Sequence, residues 1–171
     1  EIQEYTKEYR YYPDPKEINF LKVIQDKQEF GMTQVEETRR TFGDACQNAT
    51  FELAPHQIFL KQWMSPNTPY KSLLIFHGVG VGKTCSGISI AENFKDLYGS
   101  KGQRILILAS QKIQVGWKNT LVNPALGEAQ CTGDTYQVYG TQSETKLQSF
   151  RKKIVKTYYD MMGYTAFANS V

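Results

Sequence analysis

The 171-residue chain is poor in the features that would mark it for metal, membrane or secretion. It has two histidines and three cysteines, Cys46, Cys85 and Cys131, with no CxxC pair, so a zinc site is not expected. The cysteines are odd in number and widely spaced, which favours free thiols in a reducing compartment. Apolar runs such as Leu73–Phe76 fall far short of the roughly 20 residues that a membrane-spanning helix needs, and no membrane partner is expected. The opening, Glu1 to Arg10, is too polar for a signal peptide. It carries no initiator methionine, as expected of a fragment or a processed product. A net charge of only +3 permits contact with nucleic acid without arguing for it.

What is present reads as a folded α/β chain. Hydrophobic residues make up 40% and charged residues 22%, enough for one compact domain plus an extension. Residues 1–50 read as that extension, helical and then a linker. Asp14-Pro15-Lys16-Glu17 has the residues of a capping box, and Ile18, Leu21 and Ile24 follow at helical spacing toward Phe30-Gly31. Residues 51–171 read as the start of an α/β domain. Pro55 opens a helix to Trp63, which Ser65 to Pro69 breaks. Ser72 to Phe76 and Arg104 to Ala109 are continuous apolar runs, the pattern of parallel strands buried on both faces. Between them, Thr84 to Leu97 has a helical period closed by Gly99, which predicts a strand–helix–strand unit. Gln111 to Leu121 and Ser143 to Tyr159 read as further helices, Tyr136 to Tyr139 as a third strand, and the stretch to Phe167 as irregular.

The most informative stretch joins the first strand to the first long helix: His77-Gly78-Val79-Gly80-Val81-Gly82-Lys83-Thr84. Alternating glycines between a strand and a helix let backbone N–H groups converge on an anion at the helix N-terminus. A lysine then adds charge against the outer phosphates, and a hydroxyl can ligate Mg²⁺. Gly78 to Thr84 are therefore the candidate ATP·Mg²⁺ residues, with Lys83 and Thr84 in the catalytic role and Thr84 as the metal ligand. The full phosphate-loop pattern would place glycine at position 77, where this chain has His77, so the match is to the shorter core Gly80 to Thr84. His77 is expected to pack beside the loop, because phosphoryl transfer depends on positioning and charge more than on a histidine base.

With Leu53-x-Pro55-His56-Gln57 upstream, Ile105 to Leu108 and Gly163-Tyr164-x-x-Phe167-Ala168 downstream, the sequence resembles superfamily 2 helicases. Within them it is most similar to the helicase-like ATPases of large cytoplasmic DNA viruses, of the poxvirus early-transcription and African swine fever virus kind. The resemblance implies a RecA-like parallel sheet with flanking helices, here incomplete. It implies that Gln57 reads adenine through its amide, and that Ser110 and Lys112, with Lys118 in the following helix, touch a DNA or RNA backbone. It also implies a viral RNA polymerase or transcription factor as protein partner, and a place in the virion and the cytoplasmic viral factory. Trp117 is expected in the core, and Arg151-Lys152-Lys153 as a solvated basic turn.

The family's Asp-Glu pair, which holds Mg²⁺ and the attacking water, has no counterpart after Thr84, and the second lobe with its arginine finger is also missing. These residues are therefore expected to bind ATP without efficient hydrolysis. A nucleotide kinase or GTPase is a weaker reading, since the latter needs an Asn-Lys-x-Asp motif that does not occur. A non-catalytic module docking onto a polymerase is the other alternative.

Overall fold

The computed structural model describes residues 11–35, 52–123, 126, 130–133, 135–136 and 143–170. Its helices are α1 (Phe20–Asp26), α2 (Gln28–Gly31), α3 (Pro55–Trp63), α4 (Lys83–Gly99), α5 (Gln111–Leu121), α6 (Glu144–Tyr158) and α7 (Tyr164–Ala168). Two strands, β1 (Ile105–Leu108) and β2 (Tyr159–Met162), pair in parallel, with Ile105 opposite Tyr159 and Leu108 opposite Met162. A crossover carrying α5 and α6 joins them, as parallel pairing requires. The chain is thus mixed α/β. Most of the expected linker, from residue 36 on, and residues 137–139 of the expected third strand lie outside the described residues, and Tyr136 sits in a turn.

The main core lies between α4, α5, α6 and the sheet. Ile88 and Ala91 of α4, Leu121 and Val122 at the end of α5, Tyr136, Ile154 of α6 and Tyr159 of β2 are buried together, with Ile105, Ile107 and Trp117 against them. Trp117 therefore belongs to the core, as expected. α4 and α5 approach closely at Gly87, since a Cβ there would come 3.0 Å from the Trp117 ring.

A buried polar group ties the core together. Glu92 accepts hydrogen bonds from the hydroxyls of Tyr136 (3.1 Å) and Tyr159 and from Lys95 Nζ (2.8 Å), so neighbouring groups satisfy a largely buried carboxylate. Burial, then the adjacent Glu92 charge, holds both tyrosine hydroxyls well above their ordinary range.

A second cluster seats the N-terminal residues on α3. Ile24, Phe30 and Tyr70 are buried with Tyr12, Phe20, Phe59 and Trp63 around them. The Trp63 and Tyr70 rings stack at 4.1 Å, and Tyr70 Oη donates to the Pro13 carbonyl (3.1 Å).

Several expectations need correction. The run Ser72–Phe76 forms no strand, and Leu74 and Phe76 are 88% and 94% exposed. No strand lies beside it among the described residues, and an apolar run without a ladder partner gains neither the hydrogen bonds nor the burial that define a strand. β1 is covered on one face only: Ile105 and Ile107 meet the core, whereas Leu106 and Leu108 are exposed. Residues 159–162, read as irregular, form β2. Tyr-Asp-Met-Met has no alternation and no β-branched residue, so it pairs because its neighbour β1 is there. The first helix begins at Phe20 rather than at Pro15. Glu17 Oε1 does accept the Asp14 N–H (3.0 Å), but Asp14 Oδ1 accepts from Lys16 N (2.9 Å) and closes a turn instead. Finally, Cys85 and Cys131, expected as free thiols, form a disulfide with a Cα–Cα distance of 5.3 Å. Their 46-residue separation hid a pairing that only the fold creates.

Candidate nucleotide site

α3 and α4 present the site. α3 spans Pro55–Trp63, as the sequence predicts, because Pro55 suits a first helical turn and Gln57 Oε1 reaches back to the Ala54 N–H (2.9 Å). α4 starts at Lys83, immediately after Gly82, whose φ of 79° lies in the left-handed region. Gly80 has a φ of 84°. A side chain at either position would be strained, and a Cβ on Gly82 would also come 2.5 Å from Gln57 Nε2.

The loop between the helices offers donors. None of the amides from Gly78 to Thr84 has a hydrogen-bond partner among the described residues. These donors sit at the N-terminus of a 17-residue helix, whose dipole favours negative charge. A Cβ at Gly78 or Gly80 would meet nothing within 4 Å, so both glycines border open space. Lys83 Nζ folds back and donates to the carbonyls of His77 (3.1 Å) and Gly78 (2.5 Å). The one cation of the loop thus lies against the loop's first residues. Thr84 is exposed, and its hydroxyl has no partner.

Two consecutive residues of α3 fasten the loop. Gln57 Nε2 donates to the Gly82 carbonyl (3.2 Å), and His56 Nε2 lies 3.4 Å from the Val81 carbonyl. Gln57 is buried, and with Ala54 and Gly82 engaged it keeps one N–H and one lone pair of its amide. His56 also meets the His77 ring edge to face at 5.2 Å. His77 therefore packs beside the loop, and its buried Nδ1 has no partner. The fastening of the loop by His56 was not legible in the sequence, which separates His56 from Val81 by 25 residues. α4 is also tied to the end of α3, since Asn93 Nδ2 donates to the Lys61 (2.6 Å) and Met64 (3.2 Å) carbonyls.

Of the expected nucleic-acid residues, Ser110 is the N-cap of α5 with no side-chain cap bond, and Lys112 is exposed in its first turn. Both hold their side-chain polar groups free of protein partners among the described residues. Among those residues no helix is long and apolar enough to cross a membrane.

Similar proteins come from large DNA viruses. A protein of Acanthamoeba polyphaga mimivirus named "Putative ATP-dependent RNA helicase" is 29% identical over the whole of this chain, which covers 16% of that relative. A second mimivirus protein with the same description is 29% identical over 94% of this chain and 28% of its own length. A "Putative helicase" of Frog virus 3 is 31% identical over 68% of this chain and 12% of its own length. The chain therefore spans only 12% to 28% of the length of these relatives. No protein-family model matches the chain, and no solved structure does.

Proposed function

We propose that this chain, similar over most of its length to helicase-named proteins of large DNA viruses, is the ATP-binding part of a superfamily 2 helicase or translocase. On this reading Gly78 to Thr84 form a phosphate loop, and the described sheet is part of a RecA-like sheet. The observation that carries the proposal is the row of unpartnered amides from Gly78 to Thr84 at the start of α4, closed by Lys83 and Thr84.

The residues fit ATP·Mg²⁺. Bound magnesium would neutralise phosphate charge during transfer. Lys83 exchanges two neutral carbonyls for phosphate oxygens, a gain for a charge-assisted bond. The Thr84 hydroxyl is available as the metal ligand. Gln57 uses the remaining half of its amide on adenine while its other half holds Gly82, so base recognition and loop position are read by one side chain. Ser110 and Lys112 supply sequence-independent contacts to a DNA or RNA backbone. A viral polymerase or transcription factor subunit is the protein partner this reading favours, with action in the virion and the cytoplasmic factory.

Titration calorimetry with ATP·Mg²⁺ tests the proposal. Lys83→Ala should weaken binding by about 10- to 100-fold, the loss of a charged hydrogen bond of about 1.5–3 kcal/mol. No heat with the unmodified chain, or equal affinity in the variant, would overturn it. Turnover by the 171 residues alone should be slow, since no Asp-Glu pair follows Thr84.

A further inference from the structure

The sequence separates Lys118 on α5 from Arg151 and Lys152 on α6, and neither group alone distinguishes a site from a solvated face. The fold brings all three to one cleft of about 700 Å³ between the two helices, with Asn119, Gln148 and Glu144 on its walls. Three cations thus face one carboxylate, and that carboxylate is shared. Glu144 Oε1 accepts from Gln148 Nε2 (3.2 Å) and lies 3.7 Å from Arg151 Nη1. Arg151 is spent on structure as well, because its Nε donates to the Val122 carbonyl (2.9 Å) at the end of α5. Lys118 and Lys152 remain. Neither has an anion among the described residues, the Asn119 amide there has no hydrogen bond, and Lys118 is half-buried. Two cations at one cleft without a counter-charge among the described residues attract an external anion.

We propose that this cleft is a second phosphate-binding surface for a polynucleotide, continuing along α5 from Ser110 and Lys112. It rests on the nucleic-acid part of the reading above. Lys112 and Lys118 are six residues apart, roughly 9 Å along a helix, a span that nearby phosphates of one strand can cover. Continuity with Lys112 favours phosphodiester over an acidic peptide. Arg151 has its Nε on the Val122 carbonyl and its Nη1 3.7 Å from Glu144, which leaves two lysines as the cations without an anion among the described residues. Lysine point charges beside an amide suit a backbone read without regard to sequence.

The test is a salt titration of binding to labelled single-stranded oligo-dT and oligo-rU, using the full 171-residue chain, Lys118→Gln/Lys152→Gln and Lys112→Ala. The double variant should flatten the slope of log K against log salt by about 1.4, two phosphate contacts at about 0.7 each, with an unchanged melting temperature. An unchanged slope in the double variant, with a flatter one in Lys112→Ala, overturns the cleft and leaves the nucleic-acid reading standing. Absence of binding by the unmodified chain to both strands overturns both. Binding of polyglutamate, weakened by the double variant, in place of either strand assigns the cleft to an acidic protein and overturns the proposal.

Discussion

Residues 72–76 and 104–109 are apolar runs of similar composition, each joined to a long helix, and they end differently. The second becomes β1, paired with β2 and covered on one face by the core. The first stays unpaired, with Phe76 and Leu74 in solvent. The difference shows that an apolar run supplies only strand potential. A neighbour able to complete the ladder converts it into structure. The same contrast separates the packed half of the molecule, where Glu92 and the disulfide sit, from the glycine loop, whose amides have no partner among the described residues.

The comparison can be broken at several points. The largest effect should come from reducing Cys85–Cys131, which closes a 46-residue separation in the packed half. Chain entropy puts the loss at about 4 kcal/mol, read as a fall in the denaturant midpoint with and without dithiothreitol. Ile88→Ala should cost about 3 kcal/mol, because Ile88 is fully buried, while Phe76→Ala should stay within about 0.5 kcal/mol. Equal costs for these two substitutions would erase the distinction between the packed half and the exposed run that holds Phe76. Gly82→Ala should destabilise by about 1–3 kcal/mol, through the positive φ and the clash with Gln57, and should weaken ATP·Mg²⁺ binding as well. If stability and affinity are both unchanged, the loop does not need the conformation described here.

The smallest effect is alkaline. Burial and the bond to Glu29 push the Tyr12 hydroxyl up to about 12. Its folded pKa is raised above the unfolded value, so its contribution is full below about pH 10 and is lost as pH rises through about 12. Tyr136 and Tyr159 act in the same direction. Stability should therefore fall above pH 10, and Tyr12→Phe should flatten that fall in a pH series of urea melts. A fall as steep in the variant would remove Tyr12 from the account.

Much of the local structure was legible. Pro55 to Trp63 and Gln111 to Leu121 are helices with the expected bounds, because turn residues and helical periods are written in neighbouring positions. The turn of the glycine loop was legible for the same reason: alternating glycines ahead of a helical period allow the positive φ found at Gly80 and Gly82. The strand at Tyr159–Met162, the Cys85–Cys131 bond and the fastening of Val81 by His56 were not. Each joins residues far apart in the chain, and one member of such a pair carries no local trace of the other.

The sequence by itself determined where α3 and α5 start and stop and which residues could cradle a phosphate, since those depend on interactions a few residues long. Only the tertiary structure decided which apolar run became a strand, which cysteines bonded and which lysines share a cleft. Those outcomes depend on hydrogen bonds, packing and charge between segments that meet only after the chain has folded.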